Sequence, residues 1–100
     1  MFYDILDQMK QRPGLFPCES IEDIHTFIYG YYIAAMKHKV EDKELKEFND
    51  GFLEFVQSEH QPHISHANWA TVIRLHSATS QESFQNFFKL FDKFRKRVLA

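Results

Sequence analysis

The sequence predicts an all-α fold, a compact single-domain bundle of about five helices spanning residues 1–100. Three observations carry this expectation. Apolar residues recur at three- and four-residue intervals almost throughout, period-two alternation never lasts more than a few residues, and no linker is long enough to divide the chain. A chain of 100 residues supports a single core, and eleven Phe among its 16% aromatic residues are enough to fill a small one.

The first helix follows from Phe2, Ile5, Leu6 and Met9, at i, i+3, i+4 and i+7, and ends before Pro13-Gly14. In the corner Gln11 to Pro17, Arg12 precedes a proline and is biased out of helical dihedrals, Pro13 fixes its own, and Gly14 allows a sharp reversal that turns Leu15 and Phe16 inward. Ser20 is placed to cap the second helix, with Asp23 in its first turn. Ile21, Ile24, Phe27, Ile28, Tyr31, Tyr32, Ala35 and Met36 form its apolar stripe. Tyr29, Ile33 and Ala34 extend apolar character to the other sides, so this helix is expected at the centre, enclosed by the others, with Gly30 marking the close approach of a neighbour.

After the charged loop Lys37 to Lys43, a third helix carries Leu45, Phe48, Phe52, Phe55 and Val56 on one face and stops near Glu59, where His60-Gln61-Pro62 breaks the pattern. A shorter fourth helix with Trp69, Val72, Ile73 and His76 starts from Asn68 or Ser65. Thr79 and Glu82 have capping-box spacing, and Phe84, Phe87, Phe88, Phe91, Phe94 and Val98 then repeat through the last helix.

The lone Cys18 has no partner for an internal disulfide, nothing resembles a secretory signal, and the longest apolar run, Phe27 to Met36, is about half a bilayer span. A cytoplasmic protein with no membrane segment is expected. Cys18 lies near a helix start but has no local His-Asn/Asp partner, so it reads as a structural thiol. His60, His63 and His66, preceded by Glu59, have imidazoles but not the i, i+4 spacing with an intervening Glu that a zinc helix uses. A polar loop is the expectation there. The carboxylates fall on exposed helix positions, away from apolar neighbours that would perturb them. No catalytic residue, metal or cofactor is therefore expected.

The net charge of −2 conceals an asymmetry, with about −6 over residues 19–59 and about +4 over residues 60–100. Projected down the axis of the third helix, Glu44, Glu47, Asp50 and Glu54 fall as one stripe opposite the apolar face of Leu45, Phe48, Phe52 and Phe55. Glu41 and Asp42 extend this stripe into the preceding loop. Glu41, Asp42, Glu44, Glu47, Asp50 and Glu54 are thus the candidate docking residues for a basic protein. The alternative is a nucleic-acid-associated protein using Arg74 with Lys89, Lys93, Arg95, Lys96 and Arg97, but those last five bases also complement a helix C-terminus, and the aromatic residues among them share a core face.

Taken together, Arg12-Pro13-Gly14-Leu15-Phe16, Ser20-Ile21, Phe27-Ile28-Tyr29-Gly30-Tyr31, Phe52-x-x-Phe55-Val56, Trp69-Ala70-x-Val72-Ile73 and Phe87-Phe88-x-x-Phe91-Asp92-x-Phe94 resemble a family of small all-helical bacterial immunity proteins of contact-dependent growth inhibition and related polymorphic toxin systems. The resemblance spans nearly the whole chain, and its motifs are mostly core and turn residues. It implies a non-catalytic inhibitor that binds the toxic C-terminal domain of an effector, frequently a nuclease with a basic cleft. Gyrase-type ATPase domains carry a related Arg-Pro-Gly motif, but this chain is about half their length and lacks their Gly-rich nucleotide segments. The sequence leaves the oligomeric state open; an exposed part of the aromatic excess could serve a dimer.

Overall fold

Capping residues set the helix starts in the computed structural model, which describes residues 1–16, 18–60 and 68–99. Helices α1 (Phe2–Gln11), α2 (Ile21–Lys37), α3 (Lys43–Glu59), α4 (Trp69–Leu75) and α5 (Ser80–Leu99) follow one another, with a single 3₁₀ turn at Pro13–Leu15. Ser20 accepts the Asp23 amide at 3.3 Å and Asp42 the Leu45 amide at 3.2 Å. Asn68 caps α4 by accepting the Thr71 amide at 2.8 Å; Ser65, the other candidate, lies outside the described residues. Thr79 accepts the Glu82 amide at 3.0 Å, and the Glu82 carboxylate reaches back to the Ala78 amide at 3.1 Å, closing the capping box one residue further out than expected. α2 ends with Lys39 in the left-handed region, φ 52°, while the Val40 amide returns to the Ala35 carbonyl at 2.9 Å.

The core lies between α3 and α5, with α1 and α4 packed over it. Phe48, Phe52, Phe87 and Phe91 are fully buried with Phe2, Leu6, Met9, Ile21, Ile24, Val56 and Ile73. Phe48 stacks on Phe52 at 4.5 Å between centroids, and Trp69 lies edge-on to both, at 5.6 and 5.4 Å. Ser83 is the one buried polar residue among those described; its Oγ accepts the Ile21 amide at 3.2 Å and donates to the Ser80 carbonyl at 2.5 Å, tying the start of α2 to α5.

Three expectations are corrected. α2 is not enclosed: only Ile21, Ile24 and Ile28 are buried, while Tyr29 is 61% and Met36 60% exposed. Its neighbour α4 has seven residues, about 10 Å of helix against about 25 Å for α2, and is too short to cover it. Gly30 approaches nothing, since a Cβ there would meet no atom within 4 Å; the close approach is at Gly51, where a Cβ would lie 3.3 Å from Phe94 Cε1. Leu15 does not turn inward. It is 70% exposed, because the 3₁₀ turn carries it outward while Phe16 packs edge-on against Phe27 at 5.8 Å. Among the described residues no helix is long and apolar enough to cross a membrane.

Candidate protein-docking surface

The six candidate acids divide into two groups. Asp42 caps α3 and also accepts the Tyr31 hydroxyl at 2.8 Å; burial and this carboxylate push the Tyr31 phenol up to about 12. Glu44 accepts the Tyr3 amide at 3.0 Å and the Met1 amine at 2.6 Å. Burial alone would raise its carboxyl, but the amine and the amide outweigh it and hold the group below the usual carboxylate range. Glu47 accepts the Tyr3 hydroxyl at 2.6 Å; burial first and Glu47 second push that phenol well above its ordinary range. These three carboxylates fasten α1 and α2 to the start of α3.

Glu41, Asp50 and Glu54 remain exposed. Glu41, Asp42 and Asp50 line a groove of about 690 Å³ between the end of α2 and the start of α3. Tyr32, Ala35, Met36, Val40 and Leu45 supply its apolar lining, and Lys39, Lys43 and Lys46 stand among the acids. A second hollow of about 310 Å³, lined by His25, Ile28, Tyr29 and Trp69, shares Tyr32 and Asn49 with the first. The two adjoin at these residues, so the groove continues along α2. Sequence periodicity missed its walls because it assigned Tyr32 and Met36 to a buried stripe. The readable signal was a helix of seventeen residues, apolar on more than one face, followed by one too short to cover it.

The other candidates settle into local roles. Arg95 bonds both oxygens of Asp7 at 2.9 and 3.0 Å and stands 5.0 Å from the Tyr3 ring centroid, Lys93 lies 3.7 Å from Glu59, and Arg97 stands over Phe55 at 5.6 Å. Arg74 lies 3.7 Å from Glu22. Four of the six bases in the nucleic-acid alternative thus have a partner within the chain. His63 and His66 lie outside the described residues; His60 stacks on His76 at 4.1 Å with 20° between the rings. Among the described residues no three His, Cys, Asp or Glu side chains gather as a metal site would need. Cys18 is buried, and burial followed by the charge of Asp23 raises its thiol, which opposes thiolate chemistry.

The chain matches no family model, no curated protein and no solved structure.

Proposed function

We propose that the chain is a binding module that seats a protein partner in the α2–α3 groove and acts by occlusion, without turnover. The partner implied by the family resemblance is the toxic C-terminal domain of a delivered effector, which makes the chain an immunity protein acting in the bacterial cytoplasm. One observation carries the reading: Tyr32, Met36 and Val40 are exposed together in a groove beside Glu41 and Asp50. Aromatic residues and Met are enriched in interface cores, and Met adapts its shape to the surface it meets. Acids at the rim accelerate encounter with a basic cleft, while the apolar contacts slow release.

The test is co-expression with the toxin domain encoded beside this chain. A stoichiometric complex that abolishes the toxin's activity is expected. Asp50→Lys with Glu54→Lys should slow association and flatten its salt dependence; Met36→Ala, which changes no charge, should leave association nearly unchanged and speed dissociation by tenfold or more, the scale of a buried side chain worth about 1.5–3 kcal/mol. A toxin that neither binds nor loses activity sinks the proposal.

A further inference from the structure

The outer face of α2, turned away from the groove, is unpartnered. Ile24 to Met36 is a stretch of thirteen residues without Asp, Glu, Lys or Arg. Gly30, Ile33 and Ala34 are exposed within it, flanked by exposed Thr26 and Tyr29, which also line hollows toward α4 and Trp69. Acids bound this face at one end (Glu19, Glu22, Asp23) and bases at the other (Lys37, His38, Lys39). Such ends also suit the helix dipole. The dipole does not account for the exposed apolar surface between them.

From this arrangement we infer that two copies of the chain pair through α2, antiparallel, crossing at Gly30. Asp23 and Lys37 each lie seven residues from Gly30, two turns on either side and on the same face as it. A two-fold axis at Gly30 therefore sets the Glu22–Asp23 end of each copy beside Lys37 of the other. A second copy reverses the charge order and satisfies both ends at once, whereas a uniformly basic or acidic partner would gain at one end and be repelled at the other. Lys37 makes no ion pair among the described residues, Asp23 has one oxygen on the Glu19 amide at 2.9 Å, and Glu22, 60% exposed, lies 3.7 Å from Arg74 and keeps a solvent-facing side for Lys37 of the other copy. At Gly30 the missing side chain leaves open space where the two backbones would come closest. A pairing through one helix face belongs to the class of weak or transient interfaces, below about 1,200 Å² of total buried surface. This pairing goes beyond the proposed function and leaves Tyr32 and Met36, on the groove side, to the other partner.

Sedimentation equilibrium on the full chain tests it. A monomer–dimer equilibrium with a dissociation constant on the order of micromolar to tens of micromolar is expected. Gly30→Arg fills open space with a better helix former, so the monomer should keep its helical spectrum and melt no lower than the parent chain, while two like charges at the crossing weaken the dimer by at least about tenfold. Glu22→Lys and Lys37→Glu, which leave the Asp23 cap alone, should each weaken self-association about fivefold. An equimolar mixture of these two variants should restore it, because both end contacts in the mixed dimer again join opposite charges. A chain that stays monomeric up to about 1 mM, and so leaves the face to another occupant, overturns the inference. So does a dimer that Gly30→Arg leaves intact, or a mixture that associates no better than either variant alone.

Discussion

Gly30 and Gly51 sit in helix interiors with negative φ, so replacing either by Ala offers the same backbone gain, about 1 kcal/mol from helix propensity. Their surroundings differ. At Gly30 the new methyl meets no atom within 4 Å, and the whole gain should appear as stability, a rise in melting temperature of about 4–8 °C for a domain of this size. At Gly51 it would lie 3.3 Å from Phe94 Cε1 and 3.6 Å from Cζ. Phe94 is buried and cannot swing away freely, since its ring packs at 5.4 Å on Phe52 and 5.7 Å on Phe55. Crowding of this kind costs about 1–3 kcal/mol. Gly51→Ala should therefore be neutral to destabilising by about 2 kcal/mol, and the two variants should differ by about 1–3 kcal/mol. Urea and thermal melts at submicromolar protein, below the range of self-association, measure both. In the background of Phe94→Leu the penalty of Gly51→Ala should shrink, as a double-mutant cycle would show. Equal stabilisation by both alanines would refute the assignment of Gly51 as the close approach.

Ser83→Ala removes the hydroxyl that accepts the Ile21 amide at 3.2 Å and leaves that donor buried without a partner. A loss of about 1–3 kcal/mol in urea melts is expected, with faster hydrogen exchange at Ile21; an unchanged midpoint would show that the α2–α5 tie contributes nothing. Stability should also fall as pH drops below about 6.5. Burial, then the charge of His76, lowers the His60 imidazole, with Glu59 opposing; Glu59 in turn lies 3.7 Å from Lys93. The folded chain therefore binds fewer protons than the unfolded one between the lowered value and the ordinary one, and stability is lost on acidification through that window. His60→Gln should flatten the melting-temperature profile there, and an identical slope in both proteins would refute the role of the pair.

What was legible in the sequence was which side of each helix is apolar; what was not legible was what stands on that side. The Phe48, Phe52, Phe87 and Phe91 core and the caps at Ser20, Asn68 and Thr79 follow from spacing and local chemistry, which act within a few residues. Gly51 meets Phe94, forty-three positions away, and Glu44 and Glu47 meet Tyr3 across more than forty. No periodicity within α3 distinguishes a carboxylate facing solvent from one facing α1. The acidic stripe was therefore real as a pattern and divided in its roles, with Asp42, Glu44 and Glu47 holding the bundle and Glu41, Asp50 and Glu54 left outward. The α2 error runs the other way. A helix apolar on several faces is expected to be buried, and here the short α4 leaves half of it bare. Where a sequence breaks a local rule and the fold provides no compensation, a functional surface is the expectation, and the proposals above rest on it. Uncovered apolar surface on α2 meets that condition twice, toward the groove and on the outer face. The two claims separate experimentally, because Met36→Ala, which adds no charge beside Lys37, should weaken the proposed partner complex and spare the dimer while Gly30→Arg should do the reverse.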